Sequence, residues 1–255
     1  MKGLLIKDFF CLKKQLINYG FIIVGVIVIS VMFVLSYNFG NIHAGFTEMV
    51  DSGQNTGESI TIIASNAMLL FMLIPIACTG DITNLVMEDE KASFYKVASA
   101  LPVSVGRRVA CRFMAGYLFI VLGAAVDLIL SVILSSLTDV ISLEKYCGVI
   151  ITFASVMMVY ISLFILFTYI LGKGKTTYAN ILPLLIGLLV CICVSFNKIK
   201  AFLTDTDDNA LMDLYNRTTD FMFHRSYLLL TAAIIISGGA YFTAVCIAKR
   251  KRGVA

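Results

Sequence analysis

The sequence has little charge. Asp, Glu, Lys and Arg make up 14% of 255 residues, where an ordinary globular domain carries about a quarter. A soluble fold of this size cannot cover its surface with so few charges. With 59% apolar residues and a mean hydropathy of +0.92, the excess apolar surface must face lipid, or other helices within lipid. Enzyme signatures are also missing: there is no HExxH, no GxSxG and no pair of carboxylates inside an apolar run. The two histidines, His43 and His224, stand in separate segments without a nucleophile motif, which argues against an intramembrane hydrolase. The seven cysteines are odd in number and fall mostly inside apolar runs. They read as small apolar packing residues and not as a disulfide framework or zinc site, Cys191-x-Cys193 included.

Long apolar runs are what the sequence does have. A spanning helix needs about 20 mainly apolar residues, and six runs qualify: 19–37, 60–80, 113–137, 149–171, 178–196 and 227–248. They are continuous where a barrel strand would alternate, and twice as long as such a strand requires. The expectation is an all-α integral membrane protein of six transmembrane helices forming a single domain over 1–255. Orientation follows from the basic residues. With the N-terminus inside, 15 of the 20 Lys and Arg lie on the cytoplasmic side and five outside, while ten of the 16 acids lie outside. Both termini are therefore expected on the cytoplasmic side, with the first span acting as an uncleaved anchor.

The segments between spans carry their own patterns. In 1–18, Leu5, Ile6, Phe9, Phe10, Leu12, Leu16 and Ile17 share one helical face, with Lys7, Asp8, Lys14 and Gln15 opposite and Lys13 an exception. This predicts an amphipathic helix lying along the cytoplasmic interface before the first span. The longest cytoplasmic loop, 81–112, opens on Glu88, Asp89, Glu90 and Lys91. A helix over 92–101 follows, carrying Phe94, Tyr95 and Leu101, and Pro102 stops it. A second helical start over 103–112 leads into the third span. Exposed aromatics at helical spacing beside a charge cluster describe a surface that docks on another protein, whereas a bare connection needs only a few residues.

Two loops imitate ligand motifs and fail. Gly172-Lys173-Gly174-Lys175-Thr176-Thr177 has Tyr169 where a phosphate-binding loop needs its first glycine. Asp205, Asp207 and Asn209 resemble the start of a calcium loop, but Ala210 replaces its glycine and Asn216 its bidentate glutamate.

Asp127 is the single acid well inside a predicted span, and no Lys or Arg lies in any span to pair with it. A lone carboxylate there must be protonated, hydrogen-bonded or facing a wet cavity. It either lines a path or interface, or is a structural acid bonded to a neighbour such as Asn66. Pro75 and Pro183 each remove one helical hydrogen bond. Gly116, Gly123, Gly187, Gly238 and Gly239 are candidates for close helix approach.

The layout resembles the ABC-2 type permease subunits of bacterial ABC transporters. The likeness lies in an N-terminal helix of the MKGLLIKDF kind, two spans, the loop EDEKASFYKVASALPVSVGRRVACR, and four further spans. Val105-Gly106 interrupts the polar and basic residues usual after Leu-Pro-Val-Ser. Compact members of that family are similar to permeases exporting amphipathic peptides, such as the phenol-soluble-modulin exporters of staphylococci. The resemblance implies a multi-pass protein of the bacterial cytoplasmic membrane, paired with a second permease copy or paralogue. It implies two separate ABC ATPase subunits that hold ATP and Mg, with no cofactor or metal in this chain. The coupling helix would comprise Glu88, Asp89, Glu90, Lys91, Phe94, Tyr95 and Leu101, with the interfacial helix (Phe9, Phe10, Lys13, Lys14) beside it. Asp127 and Asn66 would be candidates for the path or interface. The expected contacts are lipid and an amphipathic substrate, with no nucleic acid. A drug, antibiotic or lipid efflux permease, and a non-transporting immunity or assembly protein, are the alternatives.

Overall fold

The computed structural model describes residues 2–39, 73–81, 83, 86, 89, 103–137, 143–172, 174–204 and 224–252. All regular structure among them is helical. The elements are α1 (Lys2–Cys11), α2 (Lys13–Phe39), a short α3 (Ile74–Ala77) running into a 3₁₀ turn (Cys78–Asp81), α4 (Val105–Leu137), α5 (Leu143–Leu171), α6 (Thr176–Thr204) and α7 (Ser226–Arg252). Four of these contain stretches long and apolar enough to cross a membrane: Gln15–Met32, Val105–Leu137, Tyr146–Leu171 and Ser226–Arg250. The chain is a multi-pass membrane protein. Most of the second predicted span, 60–80, lies outside the described residues. The fifth is carried by α6, with Pro183 inside a continuous helix.

Helix limits differ from the sequence expectation in informative ways. The N-terminal helix α1 ends at Cys11, where the sequence pattern ran to residue 18, and the next residue, Leu12, is 1% exposed. Leu12 is a single turn residue between α1 and α2, and Lys13–Asn18 already belong to the helix holding the first apolar stretch. Hydrogen bonds from Leu12 N to Asp8 O (3.0 Å) and Leu16 N to Leu12 O (2.8 Å) carry the helical ladder across that turn. The loop after the second span does not leave the protein at residue 81. Thr83, Val86 and Asp89 have helical backbone and are buried, continuing the inward row of Ile76 and Thr79.

The core is built by α4, α5 and α7. Val109, Phe113, Phe119 and Ile120 of α4 meet Ile161, Phe164 and Ile165 of α5, with Ala240 and Ala244 of α7 and Ala179 of α6 closing the cluster. Phe113 packs edge-on against Tyr241 with centroids 5.7 Å apart. On α7 the buried face is Ala233, Ser237, Ala240 and Ala244. This row of small side chains lets α5 approach closely. It corrects the expectation placed on glycines: Gly187, Gly238 and Gly239 have open space where a Cβ would stand. Gly123 is a true close approach, its Cβ position 3.0 Å from Thr79 Cγ2, 3.1 Å from Ile76 Cα and 3.2 Å from Pro75 O. The α5–α6 connection is a tight turn in which Gly172 and Gly174 take φ of 77° and 78°. Glycine tolerates this left-handed backbone without strain, and Gly172 N closes α5 on Thr168 O at 3.1 Å.

Candidate functional site

Two polar places stand out in an otherwise apolar bundle. The first is an ion-pair node at the N-terminal ends of α1 and α4. Asp89 accepts from Lys7 Nζ at 2.7 Å (Oδ1) and 3.0 Å (Oδ2), and from Arg112 Nη2 at 2.6 Å (Oδ2). Lys7 also lies 3.1 Å from Asp8 Oδ1. One carboxylate thus ties together the N-terminal helix, the segment after the second span and the start of α4. Both cations keep about a quarter of their side chain exposed, so water screens part of the attraction. Asp8, at 5% exposure, is held above the usual carboxylate range because burial outweighs the nearby Lys7 ammonium.

Sequence reading put Asp89 on an outward docking surface and Asp8 on the water-facing side of the first helix. Both carboxyls instead turn into the protein, while the large apolar side chains of Ile6, Phe10 and Ile17 are left exposed. Lys13 is exposed as well. The side chains of Phe9 and Lys14 lie outside what is described, as do Glu88, Glu90, Lys91, Phe94, Tyr95, Leu101 and Asn66 entirely. The inward row Thr79–Thr83–Val86–Asp89 follows a helical spacing of three and four residues. The acidic cluster around Asp89 obscured it.

The second place is Asp127. It has no exposed surface, and neither carboxylate oxygen has a hydrogen-bond partner among the described residues. The main chain of Ile76 faces it without reaching hydrogen-bond geometry. Hydroxyls a turn away are spent elsewhere: Thr79 donates to Ile76 O at 2.6 Å and Ser131 to Leu128 O at 2.8 Å. Across from it, the buried Tyr19 hydroxyl lies within electrostatic reach of Asp127 and of Cys78, and it too lacks a partner. The same condition holds for Gln15 Oε1 and Ser30 Oγ, both on α2. No group of three His, Cys, Asp or Glu that could hold a metal ion occurs among the described residues.

The α4–α5–α7 core shows the opposite condition. Tyr117 and Ser162 share a hydrogen bond of 2.9 Å, and Ser162 Oγ lies at 2.9 Å from Ser237 Oγ and 2.6 Å from Met158 O. Tyr160 donates to Asn180, joining α5 to α6.

Residues 58–237, well over half of the chain, match the model of a family described as ABC-2 family transporter protein. No curated protein and no solved structure matches the chain.

Proposed function

The chain belongs to the ABC-2 transporter family, and from that membership we propose that it is the permease subunit of an ATP-driven exporter in a bacterial cytoplasmic membrane. Permeases of this family work with ABC ATPase subunits. In this reading six spans place both termini on the cytoplasmic side, following the distribution of basic residues. Two ATPases bind ATP and Mg and dock on the loop carrying Phe94 and Tyr95. A second copy or paralogue completes the path. The cargo is an amphipathic peptide of the phenol-soluble-modulin kind, which suits spans with one acid and no base.

The observation that carries the coupling is the Lys7–Asp89–Arg112 node. A push on the loop after the second span reaches α1 and α4 together through a single carboxylate. ATP-driven closure of the ATPases would then move the first and third spans as a pair. The transmitting element is packed side chains with defined partners, which is what mechanical coupling needs.

The test is purification of the tagged chain from its own membranes. An ATP-hydrolysing subunit should accompany it and be lost from Phe94→Ala/Tyr95→Ala. Inverted vesicles holding the pair should accumulate a labelled phenol-soluble modulin only with ATP. If no ATPase accompanies the chain, the permease reading fails. An ATPase that binds without moving peptide removes the cargo assignment.

A further inference from the structure

Three elements meet at Asp127. Gly123, one turn earlier on α4, admits the Pro75–Ile76 backbone at 3.1–3.2 Å from where its Cβ would be, so α3 is drawn against α4 at the level of the acid. On the other side α2 brings up Tyr19 and Ile22. Beyond Asp127, toward the C-terminal end of α4, the junction is sealed by Val26 and Val34 of α2, Leu130 and Leu134 of α4 and Tyr146 of α5.

The polar atoms collected here are mismatched in kind. Both Asp127 oxygens are acceptors, and the Tyr19 hydroxyl offers one proton. The hydroxyls of Thr79 and Ser131 are already spent on carbonyls, and the backbone amides of α2 and α4 are used within their helices. Among the described residues the junction therefore has more acceptors than donors, one of the acceptors a carboxylate. No Lys or Arg occurs in any predicted span to correct it. An unpaired carboxylate among apolar side chains is costly. An ammonium corrects charge and donor count together, since it brings one positive charge and three N–H donors.

We propose that Asp127, with Tyr19, is a binding site for the ammonium group of an amphipath, whose hydrocarbon displaces the packing of Val26 and Val34 against Leu130 and Leu134. The way in is between α2 and α4. Only 11% of Gln15–Met32 is buried in the protein, against 39% of Val105–Leu137, so α2 is the wall with least to lose by parting. The ligand's identity as cargo rests on the permease reading above; the binding itself does not need an ATPase.

Dicyclohexylcarbodiimide, which is apolar and modifies carboxyls within membranes, provides the test on the full chain in its native membranes. Peptide mass spectrometry reads the rate of modification at Asp127. Dodecylammonium should slow that rate about tenfold, while dodecanol, of equal chain length and no charge, leaves it unchanged. Tyr19→Phe should weaken the protection several-fold without abolishing modification. Equal slowing by both compounds means apolar exclusion and overturns the proposal. Modification that dodecylammonium does not slow makes Asp127 a proton site only, and absence of modification places it beyond apolar ligands; either result also overturns it. Ammonium protection in a chain that brings down no ATPase would uphold the site while the permease reading falls.

Discussion

The α4–α5–α7 core and the α2–α4 seam are made of similar residues but treat polar groups differently. In the core, Tyr117, Ser162 and Ser237 form a hydrogen-bonded chain across three helices, and Ala233, Ala240 and Ala244 bring α7 against α5. In the seam, Asp127, Tyr19, Gln15 and Ser30 bury polar atoms without partners among the described residues. Burial follows the same division, with 44% of Tyr146–Leu171 buried and only 11% of Gln15–Met32. In lipid there is no water to take up an unmade hydrogen bond. A region that meets all its bonds is stable in one arrangement, and one that leaves them open is suited to exchanging partners. The core is thus built as the frame, and the seam is where the proposed ligand would enter.

The largest expected effect separates small residues that pack from small residues that do not. Ala240→Leu drives a branched side chain into α5 and should cost about 1–3 kcal/mol or more, seen as a lower melting temperature in detergent. Gly239→Leu, one position away but facing open space, should melt at the parent temperature or slightly above it, since glycine is a poor helix former. Equal damage from both would mean that α7 is rotated about its axis relative to this structure.

A second experiment should give opposite signs in the two regions. Ser162→Ala strands the Tyr117 and Ser237 hydroxyls in the core and should destabilise by about 1–3 kcal/mol. Asp127→Leu removes two unpartnered acceptors and should stabilise, by about 1 kcal/mol or more. Denaturation of both variants in the same detergent checks this. A clearly destabilised Asp127→Leu would show that the carboxyl has a structural partner and that the two regions do not differ.

The smallest effect concerns Asp8. Its folded-state pKa is raised by burial, so the folded chain holds a proton that the unfolded chain has released. Its contribution is fully present below the ordinary Asp pKa and is lost as pH rises through the raised value. Asp8→Asn should flatten that slope and shift stability by roughly 1 kcal/mol or less, given the partial offset by Lys7. Melting curves from acid to neutral pH would show it. A steeper dependence in the variant would reverse the assignment.

Much of this was legible beforehand. Asp127 was identifiable as the lone intramembrane acid, and the long apolar helices α2, α4, α5 and α7 follow from hydropathy. The ion-pair node was not legible, since Lys7 and Asp89 stand 82 residues apart and Arg112 a further 23 along. The run of acids at 88–90 hid the inward turn of Asp89. The packing face of α7 was misread for a related reason. Gly238 and Gly239 are the smallest residues there, yet the Ala233–Ser237–Ala240–Ala244 row has the helical spacing and takes the contact.

By itself the sequence determined that the chain lives in a membrane and that it is helical. Those are sums of transfer free energies over local runs, and they do not depend on neighbours. Only the tertiary structure decided which way each helix is turned about its axis. That rotation comes from side chains interlocking across helices, and it separates a hydroxyl that is paired from a carboxylate that is not.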